Sequence, residues 1–67
     1  GILFVECAQF IRSGQVGVEA PDSLSFILFV DEAQVNTLPV NSIHVSKLNI
    51  GKHNVKVVVQ AQEAMFL

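Results

Sequence analysis

The chain has no tryptophan, no tyrosine, a single cysteine and only four lysines and arginines among its 67 residues. Each scarcity argues against a class of function. Tryptophan and tyrosine are the rings that stack on sugars and bases while still donating a hydrogen bond, and only five phenylalanines stand in their place. A lone Cys7 rules out a disulfide within the chain. Cys7, His44 and His53 are the only soft metal ligands, and no two of them stand at the short spacing of a zinc site, so no metal or other cofactor is expected. Lys47, Lys52 and Lys56 gather in the last third, but the net charge is −2, and no nucleic-acid partner is expected from so small a basic footprint. No apolar run approaches the roughly 18 residues needed to cross a bilayer, so no membrane span is expected. No glycine-rich phosphate loop occurs. Gly14, Gly17 and Gly51 read as turn or bulge glycines instead.

What the chain has in excess is apolar surface. Hydrophobic residues make up 51% of it and charged residues 15%. A domain this small buries only about 60% of the surface its unfolded chain exposes. Part of the apolar excess is therefore expected to be covered by a second copy of the chain or by a neighbouring domain. Residues 1–67 read as one domain, and the start at Gly1 rather than Met points to a piece of a longer protein. The opening GILFVECAQF has no basic leader and carries Glu6, which makes it a poor signal peptide. Glu6 also stands where a lipidated cysteine would be preceded by a small residue.

The last third is the clearest strand. In HNVKVVVQA, Val55, Val57, Val59 and Ala61 share one face, while Asn54, Lys56, Val58 and Gln60 share the other. Ser42 to Leu48 alternates in the same way. With a turn at Asn49-Ile50-Gly51-Lys52, where Gly51 supplies a positive φ, the two segments read as a hairpin. Leu24 to Val30 is a continuous apolar run of β formers and reads as a strand buried on both faces. Asp31 to Gln34 then forms a turn, Val35-Asn36-Thr37 a short returning strand, and Pro39 its end. The first third reads as two strands around Ser13-Gly14, with a helix over residues 2–12 as the alternative. The expected fold is all-β: a small antiparallel sandwich or open barrel of five or six short strands, or α+β if residues 2–12 are helical.

The stretch FILFVDEAQVNTLPVNSIHVSKLNIGKHNVKVVV resembles PEGA-type domains. Those show a strand ending in Val-Asp, a turn, a short strand, a proline, a leucine, a glycine turn and an alternating valine-rich strand. Val30-Asp31, Val35, Pro39, Leu48, Gly51, His53 and the valines at 55, 57 and 59 fall at those places. The stretch is also similar to small β-modules at the front of secreted Bacteroidetes proteins. Glu32 stands where the pattern has glycine, and Gln60-Ala61 where it closes on a glycine and an aromatic residue. The resemblance implies a surface or envelope accessory module without catalytic residues.

Candidate chemistry is sparse. Asp31-Glu32 reads as a pair of solvated turn acids, because neighbouring strand residues point to opposite faces. His44 and His53 flank the expected turn and would meet across a hairpin ladder, where they could share a metal or respond to pH. Cys7 reads as buried and inert. No nucleophile and base, and no acid pair, has a useful spacing, so an enzyme is not expected. Ile27 and Phe29 face away from Phe26 and Leu28, and Val58 is the apolar exception on its strand's polar face. These three are the expected interface, on an apolar sheet face or edge strand of a self-associating module. The alternative is a small barrel holding an apolar ligand.

Overall fold

The computed structural model describes residues 2–60, and in them the chain is all-β. The six strands are β1 (Ile2–Ile11), β2 (Val16–Glu19), β3 (Phe26–Val30), β4 (Ala33–Gln34), β5 (Ser42–Val45) and β6 (Gly51–Gln60). They form an antiparallel four-stranded sheet in the order β1-β6-β3-β4, and β2 and β5 pair antiparallel as a second sheet. The helix considered for residues 2–12 is not formed. That segment is a ten-residue strand, because Val55, Val57 and their neighbours on β6 offer it a complete ladder.

The core lies between the two sheets. Phe26, Leu28 and Val30 point inward from β3, and the register sets Val59, Val57 and Val55 of β6 beside them on the same face. Leu28 is 0% exposed and Phe26 1%. Val18 of β2 and Ile43 and Val45 of β5 close over them. The period-two pattern of the valine strand therefore holds through Val59, and Ala61 lies outside the described residues. The two layers make a small sandwich rather than an open barrel.

Two expected hairpins are replaced by crossings between the sheets. Ser42 to Leu48 does not pair with the valine strand: β5 pairs with β2, and β6 lies between β1 and β3. In the same way β1 does not fold back on β2. Both connections cross from one sheet to the other, and they meet at one end, where the Leu48 N–H donates to the Gly14 carbonyl at 2.8 Å. Gly14 has φ +79°, and a Cβ there would lie 3.2 Å from the Leu48 oxygen, so the crossing needs glycine twice over. Gly51 does have the expected positive φ, but it opens β6 rather than closing a hairpin.

Among the described residues the one tight hairpin joins β3 to β4. Val30 pairs with Ala33, leaving Asp31-Glu32 as a two-residue loop. Both loop residues have positive φ, 52° and 71°, as a type I′ turn requires. The returning strand is Ala33–Gln34, two residues earlier than the expected Val35-Asn36-Thr37. A left-handed conformation costs most L-residues roughly 1–2 kcal/mol. Asp31 tolerates it through its side-chain bonds, while among the described residues Glu32 makes no side-chain bond to offset it. Glu32→Gly is expected to stabilise the fold by about 0.5–1 kcal/mol, after glycine's own entropy is subtracted, raising Tm by a few degrees. A thermal melt with unchanged or lower Tm would contradict this account of the turn.

Beyond β4 the edge of β3 is closed without a regular strand. The Val35 N–H donates to Leu28 O at 2.8 Å, and Phe26 exchanges two backbone bonds with Val40. Between them the Asn36 side chain acts as a strand residue. Its Oδ1 accepts from Leu28 N–H at 2.9 Å, and its Nδ2 donates to Phe26 O at 3.1 Å and Leu38 O at 2.8 Å. Asn41 ties down the next loop by donating from Nδ2 toward the carbonyls of Ala20, Asp22 and Leu24.

Candidate functional site

Three features carry the polar and apolar chemistry of the surface: an Asp–His clamp, the outer face of the large sheet, and the free edge of β1.

The clamp joins the β3–β4 turn to β6. Asp31 Oδ2 lies 2.6 Å from His53 Nδ1, and Asp31 Oδ1 accepts from the Asn54 N–H at 2.9 Å. His53 Nε2 lies 2.7 Å from the Asn49 carbonyl oxygen. Both partners of the ring are acceptors, so both ring nitrogens must donate, and that is the protonated imidazolium. The bond to the Asn49 carbonyl, followed by the bond to Asp31, raises the His53 pKa above its ordinary 6.5. The Asn54 N–H, followed by His53, lowers Asp31 below its ordinary 3.8. With both nitrogens engaged and the side chain only 11% exposed, His53 has no free lone pair to act as a base or hold a metal.

This clamp makes stability depend on pH in a defined direction. The His53 contribution is complete below 6.5 and is lost as pH rises through its raised folded value. The Asp31 contribution is complete above 3.8 and is lost as pH falls through its lowered folded value. Both act in full only between those two values. Thermal melts from about pH 4 to about pH 9 are expected to show Tm falling above the ordinary imidazole range, and His53→Gln is expected to flatten that fall. An equal slope in the variant would remove the clamp as its cause.

His44 and His53 do not meet. His44 is exposed on β5 in the small sheet, opposite Gly17, while His53 belongs to the large sheet. Among the described residues no three histidines, cysteines or acids gather closely enough to hold a metal. Glu32 is exposed, but Asp31 is more than the solvated turn acid its sequence neighbourhood implies. No local pattern signals the clamp, since its two side chains stand 22 residues apart.

The outer face of the large sheet carries the three expected interface residues together. Ile27 pairs with Val58, and Phe29 pairs with Lys56. Phe4 extends the first row from β1, opposite Val58, and is 63% exposed. Ile27, Phe29 and Val58 are each half-buried. The Lys56 ammonium sits 4.6 Å from the centre of the Phe29 ring, with Glu6 opposite it on β1, so this second row is partly screened.

The edge of β1 is the larger exposure. The small sheet covers β3 and β6 but does not reach under most of β1, so Val5, which points to the core side, is 65% exposed. Phe4 and Phe10, pointing outward, are 63% and 58% exposed. Cys7, expected to be buried, is exposed for the same reason. Among the β1 side chains described, from Phe4 to Ile11, only Ile11, at the crossing end, is buried. Among the described residues β1 pairs with β6 alone, leaving the backbone groups on its other side without a strand.

No protein-family model, curated protein or solved structure matches the chain.

Proposed function

We propose that this chain is a non-enzymatic structural β-module that assembles with further copies of itself through the edge of β1, with the adjoining outer face at Phe4, Val58 and Ile27 taking part. One observation carries the reading. Among the described residues a ten-residue apolar strand, exposed on both faces from Phe4 to Phe10, pairs on one side only. Long, apolar, unpaired edges attract other strands, and proteins that avoid association blunt them with charge, proline or brevity. The opposite edge of this sheet is blunted: β4 has two residues, follows an acidic turn, and gives way to the Asn36 side chain. β1 has one acid, Glu6, and no proline.

The engagement of both His53 nitrogens supports a role without catalysis. The PEGA-type resemblance points the same way, toward an accessory module of a cell surface or envelope.

Light scattering across a dilution series tests the reading. The chain is expected to dimerise at micromolar or higher concentration, and Ala8→Pro is expected to leave a monomer. The Ala8 N–H points away from β6, as shown below, so proline there removes an edge donor without breaking the β1–β6 ladder. A wild-type chain that stays monomeric at the highest concentration would overturn self-assembly.

A further inference from the structure

The backbone bonds of β3 fix which groups on β1 are free. Phe26 and Leu28 direct their N–H and C=O groups toward Val35, Asn36 and Val40, away from β6. The alternate residues Ile27 and Phe29 therefore bond β6, through Val58 and Lys56. Consistent with this, Asp31 N–H donates to Asn54 O at 2.8 Å, in the same phase of the ladder. On β6, Val55, Val57 and Val59 are then left to bond β1, through Cys7, Val5 and Leu3. The groups that face outward from β1 belong to Ile2, Phe4, Glu6, Ala8 and Phe10.

This set is self-complementary. A two-fold axis through the edge of a sheet must stand perpendicular to it, and it keeps each side chain on the same face in both copies. Pairing is then centred on a single residue. Centred on Cys7, Phe4 meets the second copy's Phe10 and Glu6 meets its Ala8, so four of the five outward-facing residues of each strand are paired and only Ile2 falls opposite Arg12, beyond the strand. The two phenylalanines of each copy, both exposed in the monomer, form cross-strand aromatic pairs on the outer face. Centred on Glu6, like charges stand opposite each other and Phe10 falls opposite Ile2, so no aromatic pair forms. Centred on Ala8, Phe4 falls opposite Arg12, which lies beyond the strand.

We infer that two copies of this chain join β1 to β1 antiparallel with Cys7 opposite Cys7, making one continuous eight-stranded sheet. This rests on the proposed self-assembly and adds its symmetry and register. The two Cys7 residues form a non-hydrogen-bonded pair, with Cα atoms about 4.5 Å apart. That lies within disulfide range, whereas residue 6 or residue 8 faces its own copy only diagonally, at about 7–8 Å.

Diamide oxidation tests the register. It couples two thiols into one disulfide, and the diazene takes up both protons and both electrons to become a hydrazine. The wild type is compared with Cys7→Ser chains carrying Glu6→Cys or Ala8→Cys, all at a concentration where light scattering shows the dimer. The wild type is expected to cross-link at least tenfold faster than either variant. A dimer in which position 6 or 8 cross-links as fast as position 7 overturns the register while leaving self-assembly standing. A wild type that shows no dimer by light scattering overturns both.

Discussion

Leu28→Ala is expected to remove the cooperative thermal transition. Leu28 is completely buried at the centre of β3, with Val57 beside it and the small sheet above. Truncating a buried leucine costs the lost transfer free energy and leaves a cavity, together about 3–5 kcal/mol. A chain of this size has roughly 3–10 kcal/mol of stability in all. The loss is therefore comparable with the whole, and circular dichroism is expected to show either no transition or one lowered by tens of degrees. Leu38→Ala makes the same chemical change at a residue that is 75% exposed, and it is expected to alter stability by no more than about 0.5 kcal/mol. Equal losses at the two sites would mean that the core is not where the structure places it.

The next largest effect is expected at a polar residue. Asn36→Ala leaves the Leu28 N–H without a partner and takes one of two donors from the Phe26 C=O, which keeps the Val40 N–H, at a half-closed edge directly beside the core. A stranded group costs about 1–3 kcal/mol, and water reaches this edge in part, so about 1–2 kcal/mol is expected in total. The site of the loss is testable as well as its size. In hydrogen exchange the Leu28 amide is expected to lose its protection in the variant. The Phe29 amide, which faces β6, is expected to keep protection in proportion to the remaining global stability. If Leu28 stayed as protected as Phe29, the side chain would not be closing the edge. Asn36→Asp is not expected to restore it. The carboxylate still accepts from Leu28 N–H but offers no donor to the Phe26 and Leu38 carbonyls.

These two residues mark how far local sequence can be read. Leu28 announces itself, since it stands in a run of β formers whose alternate members must find cover. Asn36 does not. Its role depends on the chain turning at Asp31-Glu32 and bringing an amide alongside β3, and the same asparagine in another loop would serve only to solvate it. Cys7 departs from its residue type's usual burial for a related reason. Free cysteines are usually buried, but burial here depends on the reach of the small sheet, which leaves most of β1 uncovered.

What the sequence determined by itself was the alternation of faces. The period of two in the valine strand, the buried run before Asp31, and the positive φ at Gly51 all follow from neighbouring residues, because side-chain direction and steric freedom are local properties. Which strands pair was decided only by the tertiary structure. Short connections favour hairpins, yet here the strands on either side of Gly14 and Leu48 enter different sheets, since an apolar face on the large sheet needs a second layer over it. That choice separates His44 from His53, places His53 against Asp31, and leaves β1 at the edge. None of those outcomes is encoded by spacing, because each depends on contacts between segments far apart in the chain.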